Sequence, residues 1–465
     1  MSQSGKLILD MSNLARWLGR PSGIVRREQA LVRYALAPHP LAQHPDIRFC
    51  VLDESQHAFR TVRPEWVEPL SRGTMALEFD SAAYRRKRKG WRRAFPSRFL
   101  LLHALERRRL ASGSRTQRRM LAAVQRLLYW RRGLPARFKD RDGALHRALA
   151  ADLVLAGPEP LSAQDTILSV GNYSAGDCTI VAELKRRHGF RYVSMCHDLI
   201  ALQFPQFFTD GVAGAFRRHW TAILPLAERI LVNAQAVEAD IRAFCLTLGR
   251  EPGEILPGEI IVVRPGCDLS GIEAAAGLPA GLAKGRFALF VGTIEPRKGH
   301  RMILDVWQRL VEQGVPQRHG FRLVLAGQWG WKMDDLRGRL AAPGAFAGSM
   351  LHLADADDPL LAALYRDCAF CLLPSLQEGF GMPVIEAFAQ GKAIIASNAG
   401  ALPEVVDGLS PCLDPADEAA WQTMLARWIE DETARTPWED AIRRSFTPVS
   451  WEQAAAENFA AAVAR

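Results

Sequence analysis

The chain has 465 residues, 48% of them hydrophobic and 23% charged, and carries a formal net charge of +9. That length is more than one hydrophobic core organises, and it points to two domains of roughly 200 residues each. No apolar run approaches the ~20 residues that span a bilayer. The start, MSQSGKLILDMSN, has no signal-peptide core, and the eight cysteines show no paired CxxC spacing. The expectation is a cytoplasmic α/β protein with reduced, mostly structural thiols.

Lys6 to Asp10 (KLILD) reads as a first strand, and the loop after it, LGRPSGIVRRE, carries Gly19 and Gly23 ahead of a helical stretch from Val25 to Leu36. A loop from strand to helix lies at the carboxyl edge of an open sheet, where such folds bind ligands. The spacing is not that of a dinucleotide fingerprint, so Gly19, Arg20, Ser22 and Gly23 are candidates by position alone.

Residues 84–141 break this rhythm. YRRKRKGWRRAFPSRFL, LERRRL and QRRMLAAVQRLLYWRRGLPARFKDR hold many Arg and Lys against Glu106 and Asp140 only, and they supply the excess positive charge. Trp91, Phe95, Phe99, Tyr129 and Trp130 are interleaved with the bases, which suits amphipathic helices on an anionic membrane surface. A solvated helical insertion and a nucleic-acid contact are the competing readings. The membrane reading gives peripheral attachment to the inner face of the cytoplasmic membrane.

Strands return at Thr166–Val170, Arg191–Cys196, Arg229–Val232 and Ile260–Val263. SMCHDLIALQFPQFF places His197 and Asp198 at a strand's end, again at the ligand edge, although a lone His is most often structural. The small, glycine-rich GIEAAAGLPAGLAKG marks a linker, with the change of domain near residue 272. Phe287–Gly292 then delivers TIEPRKGH ahead of a helix from about Gly299 to Glu312. Arg297 and Lys298 in that loop can neutralise a diphosphate through charge-assisted hydrogen bonds. FRLVLAGQWGWKMDDL is the next strand and loop, with Gly327, Trp329 and Trp331 either bordering a nucleotide or packing the core. Asp355-Ala356-Asp357 and Asp140-Arg141-Asp142 both match the D-x-D pattern of metal-dependent sugar transferases, but lie outside these loops, and no metal is assigned.

AFCLLPSLQEGFGMPVIEAFAQG, 369–391, is a buried strand, a glycine-flanked loop and a helix in succession. Pro383 belongs in a first helical turn and Gly391 at a C-terminal cap. The loop therefore ends at a helix N-terminus whose free N–H groups and dipole suit an anion. Glu378 before the glycines and Glu386 one turn into the helix can accept hydrogen bonds from hydroxyls on either side of it.

EGFGMPVIEAFAQGKAIIASNAGALPEVV resembles the signature of retaining glycosyltransferases of family 4, and GTIEPRKG and HDLI resemble segments of a mannosyltransferase-like branch of that family. The resemblance is dense over 287–408 and patchy before it. It implies the GT-B fold: two Rossmann-like, doubly wound α/β domains facing a cleft. Residues 1–271 would be the acceptor-binding domain and 272–440 the nucleotide-sugar domain. The segment 441–465, with Trp451 in FTPVSWEQAAAENF, would be a helix packing back towards the first domain. It further implies that Glu378 and the amides of Gly379, Phe380, Gly381 and Met382 hold the donor sugar, and that Glu386 holds the ribose. Arg297 and Lys298 would hold the phosphates, with Gly19, Gly23 and Gly327 bordering the donor. His197 would lie near the reacting centre, with Asp198 orienting it.

The implied activity is retaining transfer of a hexose, with mannose from GDP-mannose the first choice, to a saccharide or lipid-linked oligosaccharide in bacterial surface or exopolysaccharide synthesis. No cofactor and no nucleic-acid partner is expected. An epimerase on the same fold and a non-catalytic GT-B-like scaffold are the alternatives.

Overall fold

The computed structural model describes residues 5–17, 23–37, 46–73, 75–78, 116–117, 120, 147–171, 177–256, 258–267, 272, 277–342 and 344–464. Gly19, Arg20, Ser22, the Asp140–Asp142 pair and the basic segment, apart from residues 116, 117 and 120, lie outside the described residues. Among the described residues no helix is long and apolar enough to cross a membrane, and all eight cysteines are free, seven of them buried.

The chain forms two compact units, one of residues 1–10, 22–48 and 161–465, the other of 11–21 and 49–160. In the smaller unit residues 50–53 pair antiparallel with 58–61, and Met75–Glu78 pairs parallel with Arg147–Ala150. Its polar centre is Arg60, whose guanidinium donates to Asp53 (3.0 Å) and Asp152 (2.8 Å).

The larger unit holds two parallel sheets. In the first, β1 (Leu7–Asp10), β2 (Thr166–Ser169), β3 (Arg191–Cys196), β4 (Arg229–Val232) and β5 (Glu259–Val262) lie side by side in chain order. The second contains β6 (Phe287–Val291), β7 (Arg322–Ala326), β8 (Met350–Leu353), β9 (Phe370–Leu373), β10 (Ile394–Ser397) and β11 (Cys412–Leu413), in the spatial order β8-β7-β6-β9-β10-β11. The central runs FALFV, RLVLA, FCLL and IIAS are apolar along nearly their whole length, because a parallel sheet covered by helices is buried on both faces. Helix α3 (His300–Glu312) shows how a covering helix is written: His300, Ile303, Leu304, Val306, Trp307 and Leu310 face inward, and the Trp307 indole donates to Ser349 Oγ at 3.0 Å.

The spatial order of the second sheet is the doubly wound one, and it reverses between β6 and β9. Ligands bind in open α/β sheets at such a reversal, beyond the carboxyl ends of the strands. The loops that leave β6 and β9 are the two loops in which the sequence analysis places Arg297, Lys298 and Glu378.

Polar contacts join the two sheets. The Glu404 carboxylate accepts from the first amides of α2 (Gln235–Thr247), Gln235 N at 3.0 Å and Ala236 N at 3.1 Å. There it satisfies two donors that helix geometry leaves free and meets the positive end of the dipole. Trp331 Nε1 donates to the Phe207 carbonyl at 2.6 Å. The last helix, Trp451–Val463, starts at a capping box formed by Ser450 and Gln453. It packs on α1 (Gly23–Leu36), where Phe459 stacks on Tyr34 with ring centroids 5.7 Å apart. Arg191 from the first sheet closes its far end by donating to the Ala464 carbonyl at 2.9 Å.

Gly299 clamps the loop after β6 onto the end of β9. Its φ is +78°, and a Cβ there would lie 2.1 Å from the Pro374 carbonyl oxygen. Gly299→Ala is expected to lose at least about 2 kcal/mol by left-handed strain and overlap together. Gly253→Ala, with nothing within 4 Å of the new Cβ, serves as the control, and urea denaturation of the two variants checks the difference.

Candidate functional site

Arg297 and Lys298 lie on a 3-10 turn, Pro296–Lys298, rather than in an open loop, and α3 follows directly. The turn aims both side chains at Glu378. Arg297 Nη1 donates to Glu378 Oε2 at 2.8 Å and to the Gln377 carbonyl at 3.0 Å, while its Nε pairs with Glu295 Oε1 at 2.8 Å. Lys298 Nζ pairs with Glu378 Oε1, which also accepts from Ser375 Oγ at 2.7 Å.

These groups are nearly dry, with Glu378 7% exposed. Burial by itself would push the Glu378 carboxyl up, but Lys298 and Arg297 together outweigh it and hold the pKa down at about 2. Arg297 is held above its ordinary value because Glu378 and Glu295 overcome the burial that would lower it. Lys298 is drawn down by burial and by the Arg297 charge, against the pull of Glu378. Burial raises Glu295. The two cations are thus fixed in space by carboxylates before any ligand arrives.

His197 and Asp198 stand across from this cluster. A Cβ on Gly379 would lie 2.4 Å from the His197 carbonyl oxygen and 2.6 Å from Asp198 Cβ, so only glycine lets the two loops approach this closely. The expected pairing of His197 with Asp198 is corrected. His197 Nε2 lies 2.7 Å from the Val170 carbonyl, while Asp198 Oδ1 accepts from Ile200 N at 3.1 Å. A residue immediately following in the chain points along its own turn, and the neighbouring strand end supplies the orienting acceptor instead. Because a carbonyl only accepts, Nε2 carries the ring proton and Nδ1 is the open acceptor. Burial and the Arg27 charge lower the His197 pKa to about 4. Burial raises Asp198, with Arg297 opposing it.

The other donor-side candidates gather next to these loops. Gly381 has φ +105° and caps α5 (Met382–Ala389). Phe380 is buried, and Met382 Cγ is 3.6 Å from a Cβ placed on Gly23, at the start of the helix Gly23–Leu36. Glu386 Oε2 accepts from Tyr365 OH at 2.7 Å. Burial raises the Glu386 pKa, with the Tyr365 hydrogen bond and Arg26 opposing it. Gly327 is a packing position, since a Cβ would meet the Gly292 carbonyl at 2.0 Å. Trp329 forms a bridge to Ile294 and meets His352 edge-on. Asp357 caps α4 (Asp358–Asp367) by accepting from Leu360 N at 2.9 Å. Among the described residues no group of three or more His, Cys, Asp or Glu is arranged to hold a metal ion.

Sequence reasoning missed Glu295, Ser375, Tyr365, and the Arg26–Asp358 pair at 2.6 Å. Glu295 and Ser375 are inside the motifs already singled out, within three residues of Arg297 and Glu378, and local proximity could have found them. Tyr365 reaches Glu386 from the inward face of a helix, and Arg26 meets Asp358 across 332 residues of chain. Neither leaves a local signal.

The lowered Glu378 pKa makes a stability prediction. A fall from 4.5 to about 2 corresponds to roughly 3 kcal/mol, fully present above the unfolded pKa near 4.5 and lost as pH falls towards 2. The Tm difference between wild type and Glu378→Gln is expected to be large at pH 6 and to shrink steadily between pH 5 and pH 3. A difference that stays constant over that range contradicts the ion-pair account.

The glycosyl transferases group 1 family matches residues 285–431, the second sheet and its helices. The O-antigen chain mannosyltransferase B of Escherichia coli is 34% identical over 169 residues, which cover 36% of this chain and 42% of that protein. The chain thus spans under half the length of that curated relative. Among solved structures, a sucrose-phosphate synthase of Thermosynechococcus elongatus superposes with a TM-score of 0.55 at 15% identity, covering 97% of each chain. HepE of Anabaena, solved in complex with UDP and glucose, superposes with a TM-score of 0.53 at 15% identity, covering 98% of this chain and 100% of that one. The fold is GT-B, as the sequence led one to expect.

Proposed function

We propose, from the premise that residues 285–431 form a glycosyl transferases group 1 domain, that this protein is a retaining hexosyltransferase. In this reading it takes mannose from GDP-mannose and passes it to a saccharide or lipid-linked oligosaccharide acceptor in bacterial surface or exopolysaccharide synthesis. The observation that carries the reading is the Arg297–Lys298–Glu378 cluster, buried at the point where the order of the second sheet reverses. The mannose assignment draws support from the mannosyltransferase named above. The basic segment 84–141 supports peripheral contact with an anionic membrane, where a lipid-linked acceptor would be found.

In the proposed reaction the bond between the anomeric carbon and the departing phosphate oxygen breaks first, and negative charge builds on the nucleoside diphosphate. In this reading Arg297, Lys298 and the N-terminus of α5 stabilise that charge, the two cations being held in advance by Glu378. The acceptor hydroxyl then bonds to the anomeric carbon on the same face and gives its proton to the departing phosphate. No protein nucleophile is needed. Glu378 acts first as the anchor of the two cations. Three of the roughly four lone-pair positions on its oxygens are engaged by Arg297, Lys298 and Ser375, which leaves one for a sugar hydroxyl. Glu386 keeps Oε1 for the ribose, since Tyr365 engages Oε2.

Thermal shift across GDP, UDP, TDP and ADP and their sugar conjugates tests this reading. A ligand that binds only the native state raises stability by about 2.7 kcal/mol at a hundredfold excess over its Kd. GDP and GDP-mannose are expected to raise the Tm of the wild type, with the shift lost in Glu386→Ala and Arg297→Ala. Transfer to supplied acceptors is expected to vanish in Lys298→Ala and Glu378→Ala. Consumption of donor without acceptor would favour an epimerase, and absence of both binding and transfer would favour a scaffold.

A further inference from the structure

We propose that Arg27 is a positioning residue for His197, holding the main chain of that residue in place through Asn233 and setting a cation behind the cleft. Its catalytic consequence rests on the transfer reading above, and its structural one does not.

The adjacent arginines of GIVRRE diverge in the fold. Arg26 turns to the helix Asp358–Asp367 and pairs with Asp358, whereas Arg27 is only 2% exposed. A buried guanidinium is ordinarily paired with a carboxylate, because desolvation penalises its charge heavily. Among the described residues no carboxylate is in ion-pair contact with Arg27. Its Nη2 donates to Asn233 Oδ1 at 2.8 Å and to the Val263 carbonyl at 3.2 Å, and its Nη1 donates to Asn458 Oδ1 and the Val263 carbonyl, both at 3.3 Å. All of these acceptors are neutral. Glu457 favours the charge without touching it, and burial draws the Arg27 pKa down to about 9, which leaves it a cation at neutral pH.

Those contacts tie together the helix Gly23–Leu36, the end of β4, the segment just beyond β5 and the C-terminal helix. The relay to the cleft runs through Asn233, whose Nδ2 donates to the His197 carbonyl at 3.2 Å. That carbonyl is the atom that Gly379 approaches from the other side. With Nε2 committed to Val170, the ring is fixed with Nδ1 as its open acceptor. The charged groups around it are Arg27 from behind, Asp198 on its own loop, and Glu378, Arg297 and Lys298 from the loops of the second sheet. The last three act on Asp198, and Arg27 is the one whose charge acts on His197. A protonated His197 would offer a second N–H where the neutral ring offers a lone pair to a substrate hydroxyl. Burial first, and the Arg27 charge with it, keep the ring neutral.

The test is a titration of His197 by histidine-selective NMR, its signal assigned with His197→Gln, in the wild type, Arg27→Lys, Arg27→Met and Asn233→Asp. It needs no substrate. The wild-type midpoint is expected near 4, and Arg27→Lys, which keeps the charge, stays low. Arg27→Met removes the charge and Asn233→Asp sets a carboxylate against it, and each is expected to raise the midpoint by about one unit or more. With donor and acceptor supplied, Arg27→Lys is expected to lower kcat about tenfold while KM moves less than about threefold, because the fork that fixes geometry is lost. A folded Arg27→Met or Asn233→Asp with an unchanged His197 midpoint overturns the proposal. If Arg27→Met does not fold, Asn233→Asp decides, since it leaves the guanidinium in place. If the midpoints move as expected and the wild type transfers no sugar, the positioning role stands and the transfer reading fails.

Discussion

Two cations side by side in a nearly dry loop repel each other and lose their hydration, and a structure that keeps them there must supply compensation. Glu378 does most of it, accepting from Arg297 through one oxygen and from Lys298 through the other, while Glu295 takes the remaining face of Arg297. The two loops involved leave β6 and β9, which are neighbours in the sheet although about 80 residues apart in the chain. The cluster is therefore possible only because the sheet reverses its winding between those strands. A buried ion pair of this kind is weak evidence for stability as such. Its value here is geometric, since it holds positive charge in place at a helix N-terminus.

The same logic extends outward. Gly299 allows the cationic turn to lie against Pro374, and Gly379 allows the opposite loop to lie against His197 and Asp198. Each glycine sits where a single Cβ would separate two elements that carry charge. Tyr365 and the Val170 carbonyl are second contacts behind Glu386 and His197, and each leaves one functional atom of its partner open, Oε1 of the carboxylate and Nδ1 of the imidazole. The site is thus built in layers, with backbone carbonyls and neutral side chains setting the direction of the groups that face the cleft.

The electrostatic pattern is asymmetric across the cleft. On the second sheet the cations are compensated directly by carboxylates, and Glu378 stays ionised far below the ordinary carboxylate range. On the first sheet Arg27 is compensated by neutral acceptors only, and the histidine in front of it stays neutral. Burial alone does not separate these outcomes, because both regions are nearly dry. What separates them is whether the nearest partner carries a charge.

The sequence by itself determined the class of fold and the loops in which the cationic cluster forms. Short apolar runs bounded by turn residues read as strands covered on both faces, and Arg191–Cys196 and Arg229–Val232 have the bounds expected of them. Gly299, Pro383 and Gly391 punctuate the chain through local backbone preference, which acts over a few residues and is therefore readable there. Glu378, Arg297 and Lys298 could be singled out because each sits in a short motif between a strand and a helix, whereas their pairing with one another could not. The tertiary structure decided which groups meet. That Arg26 and Arg27 part company, that Val170 rather than Asp198 orients His197, and that Tyr365 supports Glu386 all depend on strand order and helix packing between residues up to hundreds of positions apart. Such pairings leave no periodicity or spacing in the chain, because the energy that selects them appears only when both partners lose water together.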